Sequence, residues 1–162
     1  MNLYYLTPQI LRNKTVGLTR VINIAETLES LGFDVYIDEI ERPDVDVWVK
    51  IDEDLVLVIE ITNWIESSYM GPKKAESVRH NFRKYFCHKL LVGSFHNNFR
   101  KKLSYIDSDV DVLYIGFQTM PIPWYLDLVE MNKDEGRRPD IAETRDIVRR
   151  NITAYLEEIG LI

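Results

Sequence analysis

The 162 residues include 46% apolar and 28% charged side chains, which is the composition of a folded protein, and the length predicts one domain spanning 1–162. No apolar run approaches the roughly eighteen residues of a membrane helix, residues 1–14 lack a signal-peptide layout, and the single cysteine, Cys87, excludes an intrachain disulfide. We therefore expect a reducing, cytoplasmic setting without a membrane partner, while the net charge of −6 argues at first against nucleic acid.

The first part of the chain predicts a helix followed by two strands. Residues 18–31 carry apolar side chains at helical spacing, and Gly32 stands where a helix commonly ends. The segments 33–39 and 45–51 alternate apolar and polar residues with a period of two, which is typical of strands with one buried face. Pro43 separates them, because proline cannot donate a hydrogen bond to a strand ladder.

The next strand has an unusual composition. A polar turn at 52–54 leads into 55–61, which is apolar except for Glu60 and therefore predicts a central strand covered on both faces. After it we expect a loop (62–71), a helix that begins at Pro72 (72–88) and a strand (89–95). A short basic helix (96–105), a buried strand (110–117) and a long C-terminal helix (139–159) follow. This order predicts an α/β fold with a mixed sheet flanked by helices.

The charges are divided between two consecutive blocks. From Ile22 to Glu66 there are thirteen acidic and two basic residues, whereas from Met70 to Lys102 there are nine Lys or Arg and one acid. A site that holds both a divalent cation and a phosphate backbone needs both kinds of charge. The alternative is ordinary solvated surface charge.

Glu60 is the feature that requires an explanation, because burying an unpaired carboxylate costs several kcal/mol. If the turn centres on Glu53, Asp46 lies opposite Glu60, Asp44 lies opposite Thr62, and these side chains project from one face of the sheet. Clustered carboxylates repel each other without a cation between them, and oxygen ligands suit Mg²⁺ or Mn²⁺. A salt bridge or a hydrogen-bond network at Glu60 is the alternative.

At this point the chain resembles the PD-(D/E)xK nuclease superfamily. The matching residues are Arg42-Pro43-Asp44-Val45 and Ile59-Glu60-Ile61-Thr62, with fifteen residues between the two acids. The preceding helix and the following Lys/Arg-rich helix and strand are in the matching order, and archaeal Holliday-junction resolvases are nearest in character. The resemblance implies a restriction-endonuclease-like αβββαβ core at 19–95, with an additional strand and C-terminal helices at 96–162.

The resemblance also implies a set of metal ligands. Asp44, Glu60 and the main-chain carbonyl of Ile61 would hold Mg²⁺ or Mn²⁺. Glu26 of the first helix would be an additional ligand, unless it is a plain solvated glutamate. Asp46 is the alternative to Asp44, either as the ligand itself or as a neighbour of the ligand.

The catalytic lysine of such enzymes normally follows the second acid by two residues, and Thr62 occupies that position here. Threonine supplies no positive charge, which puts activity in question. Lys73 and Lys74 open the next helix and are the candidates to replace that lysine, and Asn63 is a candidate to orient a water molecule. The basic side chains expected to contact phosphates are Lys73, Lys74, Arg79, Arg83, Lys84, Arg100, Lys101 and Lys102.

Three functional hypotheses follow from these observations. The first is a metal-dependent nuclease that hydrolyses phosphodiester bonds in DNA. The second is a catalytically inactive nuclease-fold protein that acts as a nucleic-acid-binding or assembly module. The third is an interaction protein whose basic block merely offsets the acidic one. The long C-terminal helix would either cover the sheet or form a homodimer.

Overall fold

The computed structural model describes residues 21–37, 44–62, 70–93, 106–115 and 141–162. Within these ranges the chain forms three helices and five strands. Their order is α1 (21–30), β1 (Asp34–Ile37), β2 (Val47–Ile51), β3 (Asp54–Ile61), α2 (Pro72–Arg83), β4 (His88–Gly93), β5 (Val110–Tyr114) and α3 (Ile141–Glu158). None of the helices in these ranges is long and apolar enough to cross a membrane.

The five strands form one mixed sheet in the order β1-β2-β3-β4-β5. The pairs β1–β2 and β2–β3 are antiparallel, whereas β3–β4 and β4–β5 are parallel. The α2 helix connects the parallel strands β3 and β4, as a parallel pair requires. The predicted α/β class, with a mixed sheet flanked by helices, is therefore confirmed.

The β2–β3 hairpin determines which side chains face each other. Asp52 and Glu53 have φ values of 48° and 72°, so they form a two-residue turn whose twist suits adjacent strands. A bulge between Val49 and Lys50 then shifts the register by one residue. Beyond the bulge Val47 pairs with Ile59. The ladder ends at this pair, so Asp46, one residue before it, lies beside the end of the ladder rather than in a register pair with Glu60.

The two faces of the sheet are covered by different helices. On the first, the α1/α3 face, Leu57, Ile59, Leu90 and Val92 pack in one core cluster with residues of α1 and α3. This covering role for the C-terminal helix is one of the two that its sequence allows. On the second, the α2 face, a separate cluster joins the strands to α2; its members include Val58, Leu91, Val110, Ala75, Val78 and Phe82. Glu60 is two residues after Val58 and therefore projects from the α2 face.

The α2 helix is one turn shorter than the sequence predicts. It ends at Arg83 rather than near His88, with Lys84 as its C-cap. The spacing of Phe82, Tyr85 and Phe86 imitates a helical stripe, but Phe86 is fully exposed. The reason is the sheet: His88 must pair with Leu57 to start β4, so the chain turns at 84–87. The predicted helix at 96–105 lies outside the described residues.

Candidate acidic site

Glu60 lies near the C-terminal end of β3 and is only 7% exposed. Its Oε2 atom is buried and has no hydrogen-bond partner among the described residues. Burial raises the pKa of this carboxyl group to about 8, and the charges of Asp46 and, more weakly, Asp44 act in the same direction. The Lys74 charge and a hydrogen bond with Asn81 oppose this rise in pKa only in part. Glu60 is thus a buried acid without full compensation.

Asp46 is the carboxylate that the structure brings to the main chain beside Glu60. Its N–H donates to the Ile59 carbonyl at 2.9 Å, and its Oδ2 accepts a hydrogen bond from the Ile61 N–H at 2.6 Å. The Asp46 side chain therefore takes the place of a main-chain acceptor at the end of the β2–β3 ladder. Its charge has the largest electrostatic effect on the Glu60 pKa. Both its position at the end of the ladder and its electrostatic effect therefore identify Asp46 as the carboxylate that acts most strongly on Glu60.

Asp44 lies outside the ladder, and the expected pairing with Thr62 is not formed, because β2 begins at Val47. Its Oδ1 accepts hydrogen bonds from the Val45 N–H and the Tyr85 hydroxyl, both at 2.7 Å. Its Oδ2 lies 3.0 Å from Lys84 Nζ. Burial alone would raise the Asp44 pKa, but the bonds from Tyr85, Lys84 and Val45 lower it overall. Both oxygens of Asp44 are therefore engaged by neighbouring donors.

Thr62, at the position of the expected lysine, is bound to the neighbouring strand. Its N–H and its hydroxyl both donate to the Val92 carbonyl, at 2.9 and 3.0 Å. The side chain is 3% exposed. This threonine extends the contact between β3 and β4, and its hydroxyl hydrogen is committed to that contact.

The first turn of α2 approaches Glu60 from above the sheet. Gly71 is the N-cap and Pro72 starts the helix, which has no acidic residue in its first turn. Lys73 and Lys74 are exposed there, and the Lys74 charge lowers the pKa of Glu60. Asn81, two turns later on the same side of the helix, reaches the same carboxyl group. The helix thus supplies both a cation and a hydrogen-bond donor to this acid.

The other predicted site residues are placed elsewhere. Glu26 is exposed on α1, which packs against the face of the sheet opposite Glu60. Three basic residues of the α2 region are in ion pairs with carboxylates of this chain: Arg79 with Glu76, Arg83 with Asp107, and Lys84 with Asp44. These pairs leave Lys73 and Lys74 as the lysines of α2 with no ion pair among the described residues. Arg100, Lys101 and Lys102 lie outside the described residues.

The acid pair, Asp46 and Glu60, offers carboxylate oxygens, which are the ligands that Mg²⁺ prefers. The described residues contain no group of three or more His, Cys, Asp or Glu arranged to hold a metal ion. Mg²⁺, however, retains several water molecules and is commonly held by one or two carboxylates together with substrate phosphates. The buried Oε2 of Glu60, which has no hydrogen-bond partner among these residues, is the kind of atom that such an ion satisfies.

Two contributors to the site are absent from the sequence predictions. Asn81 lies between Val78 and Phe82 on the apolar side of α2, where it is buried. A polar residue at an apolar position of the helical pattern is visible in the sequence and could have indicated a functional contact. Tyr85 lies within the helix predicted over 72–88, whereas in the structure it follows the end of α2 and its hydroxyl donates to Asp44. Its role depends on where α2 ends, and the local pattern does not reveal that boundary.

A comparison of the chain with protein-family models, curated proteins and solved structures finds no match.

Proposed function

We propose that this chain binds Mg²⁺ or Mn²⁺ at Asp46 and Glu60 and hydrolyses phosphodiester bonds in DNA. The observation that carries the proposal is the buried Oε2 of Glu60, which has no hydrogen-bond partner among the described residues and lies beside a second carboxylate. A buried carboxyl group of this kind is costly to ionise, and metal binding is a common reason for retaining it. When bound, the ion would polarise the scissile phosphate and lower the pKa of an attacking water.

The residues around the pair have defined tasks in this proposal. Asp46 and Glu60 orient the ion, and Asn81 holds the Glu60 carboxyl by a hydrogen bond. Lys74, together with the positive end of the α2 dipole, attracts the substrate phosphate toward the acids. Lys73 adds a second exposed charge at the same helix end. The site lies at the carboxyl ends of the parallel strands, where open α/β sheets bind ligands.

A second candidate function is a nucleic-acid-binding or assembly module without cleavage. The observation that favours it is Thr62, because its hydroxyl is committed to the Val92 carbonyl and it carries no charge. In this case Lys73 and Lys74 would still contact phosphates, while no group would stabilise the charge that develops during hydrolysis.

Purified protein incubated with labelled single-stranded, duplex and branched DNA, in Mn²⁺ or in EDTA, separates these functions. We expect cleavage that requires Mn²⁺ and disappears in Glu60→Gln, which keeps the shape of the side chain and removes its charge. Glu29→Gln, an exposed position on α1, is the matched control and should cleave normally. Binding without cleavage would favour the module. Absence of binding to every DNA form at low salt would overturn both.

A further inference from the structure

Asp44 stands apart from the acid pair because it is held by a connected set of side chains. The Tyr85 hydroxyl donates to Asp44 Oδ1, and Lys84 Nζ pairs with Oδ2. Trp48 Nε1 in turn donates to the Tyr85 oxygen at 2.9 Å. We call Trp48, Lys84 and Tyr85 the Asp44 clamp. It links the start of β2 to the end of α2.

The partners of the Tyr85 hydroxyl determine which hydrogen bond it accepts and which it donates. The indole N–H of Trp48 is a donor only, so the Tyr85 oxygen must accept from it. The single hydroxyl hydrogen of Tyr85 is then left for Asp44, which as a carboxylate is an acceptor only. Lys84 and the Val45 N–H engage Asp44 further, so this carboxylate is satisfied without a metal ion.

We propose that Tyr85, oriented by Trp48, is a positioning residue that keeps Asp44 out of the cation's ligand set, so that the site works with two carboxylates. This inference rests on the proposed function, because it concerns the same site. Ligand charge is one of the features that set the affinity of an oxygen-ligand site. The Asp44 charge already acts on the pKa of Glu60, so an Asp44 that has lost the Tyr85 hydrogen bond is the carboxylate that would join the ligand set.

The clamp has two natural controls in the same chain. Tyr36 donates to Asp34 and Tyr155 donates to Asp111, both at 2.8 Å, so each repeats the tyrosine–aspartate bond away from the acid pair. The test is Mn²⁺ affinity of the whole chain, measured from free Mn²⁺ by electron paramagnetic resonance. The variants are Tyr85→Phe, Tyr36→Phe, Tyr155→Phe, Asp44→Asn and the double variant of Tyr85→Phe with Asp44→Asn.

We expect Tyr85→Phe to bind Mn²⁺ on the order of tenfold more tightly, which is the scale on which partners of carboxylates change metal affinity. Asp44→Asn should bind Mn²⁺ no more tightly than the parent chain, because it removes a nearby negative charge without freeing a ligand. The double variant should lose the gain in affinity. Tyr36→Phe and Tyr155→Phe should leave the affinity unchanged. A merely structural Tyr85 would alter urea stability without altering Mn²⁺ affinity.

Two kinds of result overturn the inference while the proposed function stands. One is an unchanged or weaker Mn²⁺ affinity in Tyr85→Phe, and the other is a large loss of affinity in Asp44→Asn, which would make Asp44 a ligand. In both cases the parent chain still binds Mn²⁺ and Glu60→Gln still loses it. If the parent chain shows no Mn²⁺ binding that depends on Glu60, the proposed function fails and the inference fails with it.

Discussion

The two faces of the sheet differ in the kind of side chain that they bury. On the α1/α3 face, Leu57, Ile59, Leu90 and Val92 are fully buried among apolar side chains, and Tyr155 satisfies Asp111 there with a hydrogen bond. On the α2 face the apolar cluster gives way to Glu60, a buried acid with an oxygen that lacks a hydrogen-bond partner among the described residues. The first face shows what stability requires of this chain. The second retains a group that stability alone does not explain.

Removing apolar volume from the α1/α3 face should lower the free energy of unfolding more than the other substitutions that we propose. Ile59 is fully buried and is the neighbour of Glu60 in β3. We expect Ile59→Ala to lower the free energy of unfolding by about 2–5 kcal/mol, because it leaves a cavity in a packed core. Urea titration measures this loss. A loss no larger than that of Ile51→Ala, at the exposed end of β2, would contradict the assignment of this face as core.

Neutralising Glu60 should have an effect that depends on pH. The folded pKa is raised from its ordinary 4.5 to about 8, so the stability that Glu60 contributes is full below 4.5 and is lost as pH rises through 8. Each pKa unit corresponds to about 1.4 kcal/mol. In EDTA we therefore expect Glu60→Gln to gain several kcal/mol relative to the parent chain between pH 5 and pH 9.

Urea titrations of both proteins at several pH values measure this difference. Glu29→Gln should show no comparable trend, because Glu29 is exposed. A constant difference between Glu60→Gln and the parent chain across this pH range would show that the pKa of Glu60 is not raised in the folded state.

Two tyrosine–aspartate pairs allow the stabilising effect of a buried hydrogen bond to be compared with that of an exposed one. Tyr155 is buried, and both burial and the bond to Asp111 raise its pKa. Tyr155→Phe should lower the free energy of unfolding by about 1 kcal/mol, and more if Asp111 is left without a donor. Tyr36→Phe should be much milder, because water replaces the lost bond at the exposed edge strand. Equal losses in urea titration would contradict this difference.

The surface ion pairs should matter least for stability. Arg83 holds Asp107 through two hydrogen bonds, at 2.9 and 3.1 Å, and lowers its pKa. This pair contributes only above the ordinary pKa of Asp107, and the contribution is lost as pH falls through the lowered value. We expect Arg83→Gln to change urea stability little, because exposed pairs are screened by solvent. It should also weaken DNA binding less than Lys74→Gln does.

Much of the fold could be predicted from local pattern. The alternation of 45–51, the apolar run 55–61 and the turn between them predict the hairpin, and the hairpin brings the Asp46 charge close enough to act on Glu60. The partners of Asp44 could not be predicted, because the motif makes Asp44 a ligand while its contacts depend on where α2 ends. That end is set by the register of β4 against β3, a long-range constraint that competes with a locally helical pattern at Tyr85 and Phe86.

The midpoint of thermal unfolding at pH 8, measured with and without MgCl₂, shows whether Asp46 and Glu60 bind a cation in the folded chain. A ligand that binds only the folded state raises this midpoint. We expect Mg²⁺ to stabilise the parent chain and to leave Glu60→Gln unaffected, because the cation neutralises the buried carboxylate that the variant lacks. The same shift in both proteins, or no shift in the parent chain, would contradict a cation site at Asp46 and Glu60.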